Sequence, residues 1–443
     1  MTAAIDLFAA RVPRYTSYPT APHFHAGVSE QTFRTWLREL PPGLPLSLYV
    51  HIPFCDTLCW FCGCHTTVVN RYTPVTDYLN NLFTEIAHVG PLLQGHPVTH
   101  LHWGGGSPTM LAPDDIRRLK AALERHFAFA ADAEFAVEID PRGIKDETVA
   151  ALADSGLTRA SIGVQDFDDT VQKAINRIQP FDETERVVNS LRAAGVASLN
   201  IDLIYGLPHQ SRENVARTID LSLRLKPQRF AVFGYAHVPH FKKHMQLIKT
   251  EALPDAAERF AQFELAHRLI SAAGYVPVGL DHFALADDSL GIAATNGTLA
   301  RNFQGYTSDS APALIGLGAS SISALPQGYV QNKPDVPEWR KAIEAGALPV
   351  ARGIALTDDD KLRRAIIEQL MCFLRVDLAA LGKTLEDFPS EMDALAPLMA
   401  QRFVVRDGNV LAVPHDARAA VRLVASVFDT YLAGSKAVHA VAV

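Results

Sequence analysis

Four of the five cysteines fall within ten positions, at Cys55, Cys59, Cys62 and Cys64. The first three are spaced Cys-x3-Cys-x2-Cys and place three thiolates on one short loop. Such crowding points to a metal centre rather than to disulfides. A [4Fe–4S] cube usually takes four cysteines, so three leave one iron open. An open iron can be chelated by the amino and carboxylate groups of the methionine part of S-adenosylmethionine (SAM). The reduced cluster can then pass one electron into the sulfonium and break a C–S bond, which needs a potential near the low end of the cluster range.

Two other chemistries use the same residues. A structural zinc site would take all four cysteines, but it normally draws two pairs from separate segments, and this spacing strains a tetrahedron. A redox pair at Cys59-x-x-Cys62 should open a helix, and two further cysteines crowd it. The cluster accounts best for the spacing. Cys64 is then surplus: a fourth ligand in a resting form, a site residue, or a small side chain. Cys372 stands alone in an apolar helical stretch and reads as a buried core thiol.

The elements that must hold this loop recur as short apolar runs followed by amphipathic helical segments. The runs cover 45–54, 99–106, 133–140, 159–166, 198–207 and 229–238, each bounded by Gly, Pro or Asp. The helical patterns cover 76–89, 114–127, 146–156, 184–196, 212–225 and 257–274. Six βα units in succession predict a parallel sheet with helices outside, as a partial barrel or an open sheet. The unusual polar residues gather where the strands end. The cysteine loop follows the first strand and Gly104, Gly105 and Gly106 close the second. Glu138 ends the third, Gln165 the fourth, Asp202 and Tyr205 the fifth, Tyr235 and His237 the sixth. Barrel enzymes build their sites on that face.

Residues 1–40 form an arm whose prolines and hydroxyl residues suit neither helix nor strand, and it is expected to drape over the core. Residues 41–345 carry the βα rhythm and are expected to form the catalytic domain. The remainder, 346–443, predicts a helix over 356–374, a hairpin over 403–413 around Asp407 and Gly408, and a helix over 416–432. It reads as a small, mostly helical, winged-helix-like domain, with mixed charges that argue against nucleic acid.

A net charge of −7, with 48% apolar and 20% charged residues, offers no general attraction to nucleic acid or anionic membranes. No basic stretch leads into an apolar run at Met1–Asp6, and no run approaches the roughly 18 apolar residues of a membrane span. A cytoplasmic, monomeric protein is expected.

The motifs resemble the oxygen-independent coproporphyrinogen III oxidase family of the radical SAM superfamily. The resemblance rests on YVHIPFC at 49–55 with CWFCGC at 59–64, and on PRYTSYPT at 13–20 and LHWGGGSPT at 101–109. It continues through SIGVQDF at 161–167, NIDLIYGLP at 200–208 and RNFQGYT at 301–307. It implies a partial (β/α)6 TIM-like barrel holding one [4Fe–4S] cluster on Cys55, Cys59 and Cys62, with Tyr49 counted beside them in catalysis. It also implies two SAM molecules. Contacts to the first fall on Tyr49, Gly105, Glu138 and Ile322. Those to the second fall on Phe61, Gly106, Ser107, Gln165, Arg177, Asp202 and Ala236. Ser107 departs from the threonine usual in the family but keeps the hydroxyl.

The implied reaction is oxidative decarboxylation of two propionates of coproporphyrinogen III to vinyls, giving protoporphyrinogen IX, with an electron donor and acceptor that the sequence does not identify. Arg11, Arg14, Tyr15, Tyr18 and Arg301 are candidates to meet the propionates. The alternative is a related haem chaperone that shares the radical SAM core. That group resembles the family without the full arm and the Cys-Gly-Cys feature, both present here.

Overall fold

A computed structural model describes residues 10–434, so the N-terminal stretch read as lacking a leader lies outside the described residues. The first apolar run forms β1 (Leu46–Ile52), buried at six of its seven positions, as a strand covered on both faces must be. The others form β2 (Pro97–Gly105), β3 (Ala128–Ile139), β4 (Arg159–Gln165), β5 (Ser198–Tyr205) and β6 (Arg229–Gly234). These six are parallel and hydrogen-bonded in chain order, β1 to β6.

The crossovers are α1 (Thr73–Val89), α2 (Pro113–His126), α3 (Asp146–Asp154), α4 (Phe181–Ala193) and α5 (Arg212–Arg224). After β6 comes α6 (Ala256–Ala272). Capping fixes several starts: Ser211 and Asn214 form a capping box on α5, and the Asp255 carboxylate caps α6.

The parallel series runs one strand further than the six βα units predict. A seventh strand, β7 (Ala313–Leu317), lies parallel on the other side of β1, pairing Tyr49 with Gly316. Beyond it the sheet turns antiparallel through Ile322–Leu325, Gly328–Asn332 and Val350–Ala355. At the opposite edge His282–Ala284 pairs antiparallel with β6, and Val276–Val278 pairs with His282–Ala284. The result is a twelve-strand sheet with two free ends, which is the partial barrel expected rather than a closed one.

After the sheet, α7 (Asp358–Phe373) is closed by Leu374 in the left-handed region, at φ 57°. A three-stranded sheet follows, ordered Arg375–Asp377, Val410–Ala412, Val405–Asp407. Its first strand and the helix Pro389–Ala400 are additions to the sequence reading. The final helix is shorter than expected: a 3₁₀ stretch at His415–Ala420 leads into α8 (Val421–Ser426), after which Asp429 and Thr430 turn to meet the arm.

Candidate active site

The cysteine loop is held by its backbone, which leaves the thiols to face inward. Its neck is a two-stranded parallel ribbon, Phe54–Cys55 against Thr67–Val68. On one side Trp60 N–H donates to the Ile175 carbonyl at 2.9 Å, and Asn176 Nδ2 donates to the Leu58 carbonyl at 2.9 Å. On the other, Lys242 Nζ donates to the Cys64 carbonyl at 2.8 Å, and His244 Nε2 lies 2.7 Å from the Cys62 carbonyl. Burial pushes the Cys55 thiol up to about 12, while a hydrogen bond with Cys64 brings Cys62 down to about 7.

All four thiols share the wall of a cavity of about 250 Å3 with the ends of β2 to β5. Phe61, Gly105, Gly106 and Glu138 line it, as do Gln165, Arg177 and Asp202. Cys64 apart, these are ten of the site residues read from the sequence, and they meet in one place. Ser107 lies just beyond, buried, with its hydroxyl 2.9 Å from Thr109 Oγ1. Ala236 follows the end of β6. Ile322 packs with Phe24, Tyr329 and Ile354, its backbone against Gly316 beside Tyr49. Tyr49 reaches the site through its neighbours: its hydroxyl is 3.0 Å from His51 Nδ1 and its ring stacks 5.9 Å from His102.

One arrangement here escaped the sequence reading. Asp140, just past β3, is a hub for two guanidinium groups. Arg142 Nη2 donates to it at 2.6 Å, and Arg177 donates at 3.0 and 3.2 Å, with Arg177 Nη2 also on the Gly163 carbonyl at 2.6 Å. Burial opposes ionisation of Asp140, but Arg177 and Arg142 outweigh it and hold the carboxyl below its usual range. Both arginines then point at one sulfur: Arg142 Nη2 is 3.4 Å and Arg177 Nη1 3.5 Å from Cys59 Sγ. The available signal was an Asp-x-Arg placed immediately after a strand-ending Glu138.

The glycines of β2 serve a closer approach than expected. A Cβ on Gly104 would stand 2.7 Å from the Glu138 carboxyl carbon, and one on Gly106 would stand 2.5 Å from the Phe54 carbonyl oxygen. Gly105, at φ 113°, is where its N–H donates to Glu138 Oε2 at 3.1 Å. Glu138 also lies 3.3 Å from His102 Nε2. Burial opposes ionisation of Glu138, but these donors hold it below the ordinary range. Asp202 is the contrast: burial raises it to about 6, against hydrogen bonds from Ser161 Oγ at 3.0 Å and Asn200 Nδ2 at 2.6 Å. Gln165 sits at φ 69°, a conformation seldom adopted outside sites that require it.

Glu138, Ser161 and Asp202 also line a second cavity, about 150 Å3, inside the barrel. Barrel interiors are usually filled by branched apolar side chains. Here charged groups line the space: Arg159 and Glu134 pair at 2.7 Å, His100 and Asp309 at 3.1 Å, and Arg229 is held by Asp288 behind it at 2.6 Å.

Four of the five candidates for substrate contact make hydrogen bonds within the protein. Tyr15 donates to Asp429 at 3.1 Å, and the Tyr18 hydroxyl is 3.0 Å from that of Thr430. Arg301 donates to the carbonyls of Tyr15 and Arg14 at 3.1 and 3.0 Å, and Arg14 donates to that of Gly234 at 2.5 Å. Arg11 is exposed.

The donor set suits an iron–sulfur cube. Three soft sulfur donors converge on one cavity, and two fixed cations direct N–H groups at the Cys59 sulfur, a contact of the kind that tunes such clusters. Among the described residues no three His, Cys, Asp or Glu side chains form a ready single-ion site, and no helix is long and apolar enough to cross a membrane.

Residues 49–222 match the model of the radical SAM superfamily. The chain is 48% identical over 445 residues to the oxygen-independent coproporphyrinogen III oxidase of Bradyrhizobium diazoefficiens, covering 99% of each. It is 40% identical to the protein of that name from Escherichia coli over 425 residues, 95% of this chain and 93% of the other. The solved coproporphyrinogen III oxidase of Escherichia coli, described as a radical SAM enzyme, superposes with a TM-score of 0.91 at 39% identity, covering 96% of this chain and all of that one.

Proposed function

This chain belongs to the oxygen-independent coproporphyrinogen III oxidase family of radical SAM enzymes, and from that membership we propose that it converts two propionates of coproporphyrinogen III to vinyls. The product is protoporphyrinogen IX, the setting haem biosynthesis. A [4Fe–4S] cluster held by Cys55, Cys59 and Cys62 would, with SAM bound, supply the one-electron radical chemistry that oxidative decarboxylation of a propionate needs. The observation that carries this reading is the single cavity where three cysteine thiols meet the ends of four barrel strands. The relatives named above are oxidases, which sets the haem-chaperone alternative aside.

The chain's own residues divide the work. Cys55, Cys59 and Cys62 hold the cluster, and Arg142 and Arg177 stabilise charge on Cys59. Glu138, kept ionised by His102 and Gly105, suits an ammonium or ribose hydroxyls. Two SAM molecules fill the site in this reading, the first beside Tyr49, Gly105, Glu138 and Ile322. The second lies beside Phe61, Gly106, Ser107, Gln165, Arg177, Asp202 and Ala236. Anaerobic equilibrium dialysis of the cluster-loaded enzyme with labelled SAM is expected to count two per chain; a count of one would remove the second site.

The described parts of the arm (10–40) and of the tail (346–434) close over the catalytic domain (41–345) and keep water from the radical. The protein acts as a cytoplasmic monomer, taking electrons from one partner and passing the substrate's electron to another. The deciding experiment is an anaerobic assay with SAM, dithionite and coproporphyrinogen III, read by porphyrin chromatography. Monovinyl and divinyl products that vanish in Cys59→Ser are expected; SAM cleavage without them would overturn the substrate assignment.

A further inference from the structure

The segment from His237 to Lys249, after β6, carries three lysines, three histidines and no acidic residue, in a chain of net charge −7. It is not a loose loop. Met245 and Ile248 are buried against Val171, Ile175, Leu207 and Tyr235, and a 3₁₀ turn spans Lys243–Leu247. Anchored this way, the segment still turns two large apolar side chains outward: Phe241 is 75% exposed and Leu247 56%. Exposed large apolar side chains on a segment whose charges are all of one sign are a reason to look for a binding patch.

Its position gives the patch a purpose. Lys242 and His244 hydrogen-bond the carbonyls of Cys64 and Cys62, so the segment is the outer wall of the cysteine loop. His244 provides a short bonded route from the surface to a cluster ligand. The reaction proposed above needs one electron delivered to the cluster from outside.

Resting on that reading, we propose that residues 237–249 form the docking surface for a small acidic one-electron carrier protein, seated on Phe241 and Leu247 and steered by Lys243 and Lys249. The step is a bare electron transfer. The carrier is oxidised by one electron, the cluster is reduced by one, and no bond or proton changes place. Redox encounters of this kind bury little area and depend on charge complementarity for their rate. An anionic membrane surface would be drawn to the same charges, but contact with the cluster loop favours the carrier.

The test uses the cluster-loaded, full-length enzyme and follows loss of cluster colour by anaerobic stopped flow. A reduced flavodoxin serves as the acidic carrier and dithionite as the small-molecule control. Because cluster reduction is read directly, the result does not depend on porphyrinogen turnover. The wild-type rate with flavodoxin is expected to fall as salt rises. The F241A/K243E/K249E variant should be slower by roughly tenfold or more at low salt, with its dithionite rate unchanged. Equal flavodoxin rates in variant and wild type, or a wild-type rate indifferent to salt, would overturn the proposal. So would Phe241-dependent co-sedimentation with phosphatidylglycerol vesicles alongside unchanged flavodoxin kinetics, which would reassign the patch to a lipid surface.

Discussion

The cysteine-loop face and the arm–tail clasp are both rich in arginine, tyrosine and acid, yet they spend those groups in opposite ways. In the clasp, most donors meet acceptors within the protein, although Arg301 Nη1 is buried without a hydrogen-bond partner. Tyr15 meets Asp429, Arg422 meets the carbonyls of Val12 and Pro13, and Arg301 meets those of Arg14 and Tyr15 while stacking 4.2 Å over Tyr306. At the cysteine face the charged groups fix one another and still present atoms to a cavity. Arg142 and Arg177 are pinned by Asp140 yet reach Cys59, and Glu138 is held from behind by Gly105 and His102. The same residue types serve cohesion in one region and, in the other, present atoms to the cavity that the cysteines line.

The largest effect should come from the face itself. Cys59→Ser is expected to lose essentially all cluster iron, measured as iron and acid-labile sulfide per chain, with the thermal transition of the cluster-free protein little changed. A variant that keeps a full cluster would break the contrast.

Next is the Asp140 hub. Asp140→Asn should free Arg142 and loosen Arg177, which keeps its bonds to the Gly163 carbonyl and Gln179, and cost about 10–100-fold in activity or cluster retention, as outer-shell changes at metal sites do. A midpoint potential identical to wild type would show that Cys59 does not feel the two arginines.

In the clasp the expected loss is in stability. Arg301→Ala removes two charge-assisted hydrogen bonds to the arm and should cost about 2 kcal/mol, read in a denaturant titration. Faster proteolysis of the arm should accompany it, at unchanged cluster content. Loss of the cluster in this variant would mean that the two regions are not separable.

The smallest effect concerns pH. Burial raises Asp202 to about 6 from an ordinary 3.8, so the stability tied to its neutral form is complete below about pH 4 and is lost as pH rises through about 6. Asp202→Asn in cluster-free protein should flatten that decline between those values, followed by thermal melts across the range. An unchanged slope would assign the decline to another group.

How much of this was legible follows from the physics of each signal. The six barrel strands stand within a few residues of the apolar runs, except that β3 begins earlier, at Ala128. Long buried parallel strands bounded by Gly, Pro and Asp leave little choice. Some of the antiparallel extensions went unread because they are short. His282–Ala284 and Ile322–Leu325 have three and four residues, too few for any periodicity to show. In the tail, the predicted helix over 356–374 absorbed the one residue, Leu374, that closes it with a left-handed turn. Ten residues picked out by motif and strand-end position line the cysteine cavity. Asp140 and Arg142 were not picked out, because a carboxylate that organises two arginines looks, in sequence, like any surface acid.

The clasp also has a consequence for the order in which the protein can be completed. Tyr15 and Asp429 lie 414 residues apart, and the Arg422 bond to Pro13 spans 409. During synthesis these partners cannot meet until almost the whole described chain has emerged, long after the cysteine loop and all six barrel strands. For that interval the arm has nothing to latch onto at the tail. The barrel is therefore made before it is fastened, and a cluster-assembly machine would find the cysteines on a nascent chain whose N-terminal arm is not yet tied down.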